Sequence, residues 1–303
     1  MSLRPAHIRQ IAGYSMRYSM RTGGGLMYLI VLLVSGLSIA AVFVTPLENL
    51  IDGGSARGMS DDPAEMAEMI VKLEPVRNAV TWITGGDDAQ SQHLLEEKPA
   101  LMSAIMLFLL VIIPYTTCLG AFNQTSSDIA SKGLRFLLLR TERTNIYLGR
   151  LIGAALFTCL WSAAVVLLIV LYIHFKFGIY PPGALLGWGL QGWFAMLLLS
   201  LPYLALCAWI SGKVDSAFGS LAICLVVSGF SIFFLFFLKV TLTTNLAIPK
   251  EYLTWLYRVI PWGWKYDTLH PSIITRASAV VAQLSFTALF MLFGIRSFNR
   301  RDR

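Results

Sequence analysis

The sequence predicts an all-α, polytopic membrane protein with six transmembrane helices. Apolar residues make up 56% of the 303 residues, charged residues make up only 14%, and six stretches contain no Asp, Glu, Lys, Arg or His. A soluble chain has about 25% charged residues, and about 20 apolar residues cross the hydrocarbon core of a bilayer. The six stretches meet that length, and they cover 25–46, 99–122, 151–173, 184–210, 217–238 and 277–295.

The charges between the spans predict the orientation. Alternating the loops between two faces places 14 basic and 4 acidic residues on the face with both termini, and 10 basic and 13 acidic residues on the other. The positive-inside rule therefore predicts that both termini are cytoplasmic. The loop 239–276 departs from this rule, because it is net basic and yet falls on the outer face.

The segment before the first span predicts an amphipathic helix over residues 5–21. A basic helix with an apolar side, placed just before a span, is typical of a helix in the headgroup plane. Gly23 to Gly25 are then expected to break the helix and let the chain turn into the membrane. The apolar or aromatic residues expected on one side are Ile8, Ile11, Tyr14 and Tyr18.

The first outer loop, residues 47–98, is long enough to hold structure of its own. Ser60 is expected to cap a helix that begins at Asp61, because a serine hydroxyl can accept a hydrogen bond from a free backbone N–H at the start of a helix. Acidic residues in the first turn also interact favourably with the helix dipole. Pro75 is expected to interrupt that helix, and Gly85-Gly86 to end the next stretch. An apolar stripe on this loop either covers the bundle or contacts a substrate.

The outer loop 239–276 predicts a re-entrant or interfacial helix pair. Pro249 can start a short helix, and the run from Pro261 to Tyr266 then combines Trp and Tyr with Lys265. This combination is typical of the membrane interface.

The spans carry no ionisable side chain, which disfavours an ion-coupled carrier. The four histidines are scattered, and the four cysteines lie inside spans without a CxxC pair, so neither a metal site nor a disulfide framework is expected. The sequence also lacks HExxH, GxSxG and the phosphate-binding G-x-x-x-x-G-K-[ST] pattern. We therefore expect a chain that is not an enzyme, and any ATP hydrolysis would need a separate subunit.

The loop 123–150 carries the most informative pattern. A polar stretch with Asp128 is followed by Gly133, a Leu-rich run, Arg143 and finally Gly149-Arg150 at the start of the third span. Thr125, Ser126 and Ser127 are expected to cap a short helix there. A plain positive-inside loop needs only the charge and not the leucines, so we favour a segment that binds another protein.

This pattern resembles the second cytoplasmic loop of ABC-2 type transporter permeases. The layout of elbow helix, six spans and outer loops with short helices is similar to the subgroup that includes the permease of the nitrous-oxide reductase maturation system. Thr141-Glu142 stands where that family usually has a proline. The resemblance implies an elbow helix in residues 1–24 and one six-helix transmembrane domain over 25–303, in a plasma (inner) membrane.

The resemblance further implies a permease subunit of an ATP-driven exporter, or of a machine that does mechanical work on an outer-face partner. ATP and Mg²⁺ would bind to a separate nucleotide-binding ATPase subunit, and the permease would pair with a second copy or a paralogue. Membrane lipids are further partners, and nucleic acid is not expected. The residues expected to couple to the ATPase are Asp128, Ser131, Gly133, Leu134, Leu137, Leu138, Arg140, Arg143, Gly149 and Arg150.

Two other classes of function remain as alternatives. The chain can be a non-transporting membrane anchor or assembly factor that recruits soluble proteins. It can also be a membrane enzyme that uses the acidic outer loop 47–98, although that loop lacks a D-x-[DN]-x-[DN]-G calcium pattern. An ATPase gene beside the gene for this chain would favour the permease.

Overall fold

The computed structural model describes residues 4–55, 74–177, 180–243 and 250–300. These ranges form α-helices and short helical turns and contain no strand, which confirms the all-α fold class. The helices are α1 (Pro5–Arg21), α2 (Gly23–Ser55), α3 (Glu74–Thr84), α4 (Asp88–Gln92), α5 (Ala100–Ala121), α6 (Ser126–Ala130), α7 (Leu134–Leu138), α8 (Arg143–Phe177), α9 (Pro182–Lys213), α10 (Ala217–Thr243), α11 (Lys250–Arg258) and α12 (Ile273–Arg300). A π-helical turn at His93–Glu97 and 3-10 turns at Pro261–Trp264 and Asp267–Leu269 accompany them.

Six helices are long and apolar enough to cross a membrane, namely α2, α5, α8, α9, α10 and α12. They coincide with the six predicted spans, so the polytopic architecture is confirmed. Several extend past the apolar stretch: α8 has 35 residues and begins at Arg143 rather than at 151. Such extensions are common, because a transmembrane helix can continue past the hydrocarbon core into the interface, where its charged side chains remain solvated.

Contacts at one end of the bundle bring the C-terminal ends of α5, α9 and α12 together with the starts of α8 and α10, so these consecutive long helices alternate in direction. Ser211, near the end of α9, bonds Thr125, which follows α5. Arg143, at the start of α8, bonds the carbonyl of Phe298 near the end of α12. Helix α1 also lies at this end, which we call the terminal face. The opposite end is the loop face.

Helix α9 lies at the centre of the bundle, packed against α5, α8 and α12. Close approach to its neighbours depends on glycine. A Cβ at Gly192 would lie 2.6 Å from the Met106 sulfur, and one at Gly189 would lie 2.8 Å from Val170 Cγ2. By contrast, α10 and α12 direct many large apolar side chains outward, as expected of helices that face lipid.

The elbow helix was predicted over residues 5–21, and the structure confirms these bounds. The prediction that Gly23 to Gly25 break the helix is wrong. The chain turns at Thr22, whose ψ of 152° is extended, and the glycines already belong to α2. Gly25 is needed because a side chain there would overlap the carbonyl of Ser19 in α1.

The loop face is built from α3 and α4 packed onto the segment before α12. Helix α3 ends at Gly85-Gly86 as predicted, because both glycines have positive φ (95° and 88°). The helix expected to begin at Asp61 lies outside the described residues. In α4, the Gln90 Nε2 donates to the carbonyl of Tyr266 (2.7 Å), which ties the two segments of the loop face together.

The basic loop 239–276, which departs from the positive-inside rule, holds two of its lysines in specific contacts. Lys239 Nζ donates to the carbonyl of Ile83 (2.8 Å) and lies 4.5 Å from the ring centroid of Trp82. Lys265 is only 3% exposed, and its Nζ lies 3.5 Å from the ring centroid of Trp262. Two of the basic side chains in this loop are therefore engaged within the protein.

Candidate coupling site

Residues 123–150, which we call the coupling segment, comprise the link between α5 and α8 and the first residues of α8. The link is held to the bundle through the start of α6. Ser211 Oγ accepts the amides of Thr125 (2.9 Å) and Ser126 (3.0 Å), and Asn123 Oδ1 accepts the amide of Ser127 (3.0 Å). The cap was expected from the side chains of residues 125–127 and is instead made by Asn123 and Ser211. Because Ser211 belongs to α9 and is fully buried, it fixes α6 to the central helix.

The structure brings together Asp128 and Arg150, which the sequence identified separately. Their side chains form an ion pair between α6 and α8. The guanidinium of Arg150 also lies over the rings of Tyr14 (5.5 Å) and Tyr18 (5.8 Å) of α1. With 4% of its surface exposed, Arg150 joins α1, α6 and α8 and is not available to another protein.

Gly149 lies where α1 crosses α8. A Cβ at Gly149 would come 2.7 Å from Ile11 Cβ, and one at Gly153 would come 2.6 Å from Ser15 Cβ. The four-residue spacing of the two glycines places both on one side of α8, where small residues permit the close contact of helices. The buried part of α1 is accordingly Ala12 and Ser15.

Arg143 links the coupling segment to the last transmembrane helix. Its Nη1 donates to the carbonyl of Phe298 (3.0 Å), one of the acceptors left unpaired at a helix C-terminus. The neighbouring Asn299 Nδ2 donates to Thr144 Oγ1 (3.3 Å). The start of α8 is thus fixed to the end of α12.

The turn between α6 and α7 uses Lys132 rather than Gly133 for its unusual conformation. Lys132 has φ of +56°, whereas Gly133 is helical. Ser131 is exposed, and its hydroxyl lies 3.5 Å from the Asp128 carbonyl, at the limit of a hydrogen bond.

The apolar side chains that α7 and its C-cap present to solvent are not the ones selected from the sequence. Leu134 packs against the apolar core between α5, α8 and α9, and Leu137 and Leu138 are half-buried. Phe136 (74% exposed) and Leu139 (84% exposed) face outward. Neither Phe136 nor Leu139 was among the coupling residues predicted from the sequence, because a run of apolar residues does not indicate which side of a short helix is covered.

The exposed residues in and next to α7 combine apolar and basic groups. Lys132 and Arg140 are exposed beside Phe136 and Leu139. We call these four residues the α7 surface. The two apolar side chains suit an apolar groove, and the two basic side chains suit an acidic rim around it. Charges at such a rim set the orientation of binding more than the affinity.

Three of the four cysteines meet in the interior of the bundle. Cys118 Sγ lies 3.6 Å from Cys207 Sγ and 3.1 Å from Ser228 Oγ, and it contacts the carbonyl of Cys224. All three cysteines are buried and reduced. Among the described residues, no group of three His, Cys, Asp or Glu side chains has the arrangement to hold a metal ion.

On the loop face, Asp87 and His270 pair at 2.9 Å. Ser272 donates its amide to His270 Nδ1 (2.9 Å), so the neutral imidazole carries its proton on Nε2 and donates it to Asp87. Burial alone would raise the pKa of Asp87, but bonds from the Gln90 amide and from His270 hold it below its usual value. This pair fixes α4 to the start of α12 and is remote from the coupling segment.

Comparison with protein-family models and with curated proteins finds no match to this sequence.

Proposed function

We propose that this chain is the membrane-spanning subunit of an ABC-2 type transporter that works with a separate nucleotide-binding ATPase. The α7 surface would bind the ATPase, and ATP and Mg²⁺ would bind to that partner. The chain would pair with a second copy or a paralogue and export a substrate, or transmit force to a partner outside.

The observation that carries this proposal is the way in which the coupling segment is anchored. Three contacts connect it to four helices: Asp128–Arg150 to α1 and α8, Ser211 to α9, and Arg143 to α12. A short segment held by buried polar contacts moves with the helices that hold it. Force applied to the α7 surface would therefore reach α8, α9 and α12 together, as a rigid-body transition requires.

The charge distribution supports an orientation with the terminal face in the cytoplasm. The coupling segment and both termini carry most of the basic excess. In this orientation the α7 surface faces the compartment that contains ATP, and the loop face, with α3 and α4, is turned outward.

The test is ATP hydrolysis by purified components in lipid vesicles. This chain alone should be inactive, because the sequence has no phosphate-binding loop. Together with an ATPase encoded by an adjoining reading frame, it should co-purify and change the rate of hydrolysis severalfold. The control is a partner whose phosphate-binding lysine is replaced, which should co-purify and remain inactive. Hydrolysis by this chain alone, or an ATPase that neither binds nor responds, would contradict the proposal.

A further inference from the structure

We propose that a groove on the terminal face, between the ends of α9 and α12, binds the phosphate headgroup of an anionic phospholipid. The groove has a volume of about 470 Å³, within the range of small-molecule sites. Trp209 and Phe293 form its apolar wall, and Lys213, Arg296 and Arg300 line it with positive charge. The proposal requires only a membrane and does not depend on the transporter function.

The charges in the groove lack a counter-ion among the residues that line it. Lys213, Arg296 and Arg300 are exposed, and none of the three forms an ion pair with a residue in the described part of the chain. Three cations around one groove create a positive potential that a phosphate relieves. Arginine is especially suited, because its planar fork bonds two phosphate oxygens at once.

The apolar wall indicates a lipid rather than a soluble phosphate. The Trp209 ring stacks on Phe293 (centroids 5.5 Å apart) and on Phe290 (6.4 Å), and Phe290 stacks on Phe286 (6.5 Å). This row of rings begins at the groove and follows α12 toward the middle of the span. An acyl chain can lie along it while the headgroup occupies the groove.

The position of Lys213 also fits the membrane interface. Its Nζ lies over the Trp209 ring, 5.1 Å from the centroid, so the charge stands directly beside the apolar wall of the groove. Basic pockets between transmembrane helices are a recurrent means of binding anionic headgroups. The groove combines the apolar aromatic wall and the positive charge that this role requires.

The test is lipid binding by the purified full chain, measured by native mass spectrometry in a non-ionic detergent. Dioleoyl-phosphatidylglycerol should bind in preference to dioleoyl-phosphatidylcholine. The double variant Arg296→Ala/Arg300→Ala should lower the affinity roughly 25-fold, since each interfacial cation contributes about fivefold. The matched control, Arg9→Ala/Arg17→Ala, removes two exposed arginines of α1 and should change the affinity less than twofold.

Two further measurements identify the source of the phosphate and the place of the lipid. Glycerol 3-phosphate and inorganic phosphate at millimolar concentration should not displace the lipid. Phosphatidylglycerol with brominated chains should quench the tryptophan fluorescence, and Trp209→Phe should remove most of that quenching. Displacement by the soluble phosphates, equal binding of the two lipids, or quenching that is unchanged in Trp209→Phe would overturn the proposal.

Discussion

The Arg150 guanidinium forms an ion pair with Asp128, 22 positions earlier in the chain, while it rests on two tyrosines of the elbow helix. Asp128 keeps some access to solvent, with 22% of its side chain exposed, whereas Arg150 is almost fully buried. The arginine is therefore the group that depends on the pair. Its contacts make the elbow helix, the coupling segment and α8 one unit.

We expect Arg150→Met to destabilise the protein by about 2–4 kcal/mol, because it removes the ion pair and both ring contacts. Asp128→Asn should cost a similar amount, because it leaves the buried Arg150 charge without its counter-ion, although the amide oxygen can still accept a bond from Arg150. In a double-mutant cycle the two changes should couple by about 1–2 kcal/mol. Unfolding in detergent measures these values, with the exposed Arg140→Ala as a control expected within about 0.5 kcal/mol of wild type. Additive effects would show that the pair contributes no net stability.

Gly149 provides a test of the contact between α1 and α8. Gly149→Ala places a methyl group 2.7 Å from Ile11, so we expect a loss of about 1–3 kcal/mol despite the better helix propensity of alanine. Gly187→Ala in α9 is the matched control. Nothing lies within 4 Å of a Cβ there, so the same change should be neutral or slightly stabilising. A stability loss of equal size at both positions would mean that crowding at the crossing is not the cause.

The sequence alone predicted the helices far better than the contacts between them. Helix α1 and all six spans follow from local patterns of charge and apolar residues. The pairing of Asp128 with Arg150 does not, because it depends on the path of the chain between two helices. Ser211 could not be recognised as a cap either, since it is one serine near the end of an apolar stretch and its partners lie 85 and 86 positions away.

The burial of Lys265 was likewise hidden in a local pattern. Tryptophan and tyrosine beside a lysine indicated a side chain at the membrane interface. The structure encloses the lysine among Trp262, Tyr266 and Tyr257, whose hydroxyl lies 3.0 Å from Nζ. Which rings surround the amine is decided by the turns of Pro261–Trp264 and Asp267–Leu269, which the composition did not predict.

Lys265 should make the free energy of unfolding depend on pH in the alkaline range. Burial lowers its pKa well below the usual value, and the positive charge of Lys239 lowers it further. The ring faces of Trp262 and Tyr266 favour the charged form and offset part of this effect. Between the lowered pKa and about 10.4, the unfolded state binds more protons, so stability should rise with pH and be lost as pH falls through the folded pKa.

The variant Lys265→Met isolates this contribution. From pH 8 to 10, the wild-type unfolding free energy should rise by up to about 1.4 kcal/mol per pH unit relative to the variant. Lys132→Met replaces an exposed lysine and should leave the pH dependence of the wild type unchanged. If the Lys265→Met and wild-type proteins show parallel pH profiles, the amine keeps its charge in the folded state throughout this range.

The orientation can be tested with single cysteines in a background without the four native ones. We place one at Glu96, which is exposed on the loop face, and one at Ser131, which is exposed on the terminal face. In intact cells a membrane-impermeant maleimide should label Glu96→Cys and not Ser131→Cys, and permeabilisation should make both reactive. The reverse pattern would place the termini outside and contradict the positive-inside prediction.

The last prediction concerns the α7 surface and its proposed ATPase partner. Leu139 is the most exposed apolar residue of this surface, so Leu139→Asp should leave folding intact and place a charge in the bound groove. Burying an unpaired charge costs several kcal/mol, which lowers affinity more than a hundredfold at about 1.4 kcal/mol per decade. Leu137→Asp should also impair binding, but Leu137 is half-buried, so that variant should be less stable as well.

The contrast with a charge removal makes the test decisive. Arg140→Ala should lower affinity by only about 0–1 kcal/mol, and less at high salt, because Arg140 lies exposed at the rim. Tyr252→Asp is the matched control, since Tyr252 is a large exposed residue on the loop face. It should leave co-purification and stimulated hydrolysis at wild-type levels. If Leu139→Asp binds and stimulates the ATPase as well as Tyr252→Asp does, the α7 surface does not transmit force, and the coupling role must belong to another part of the terminal face.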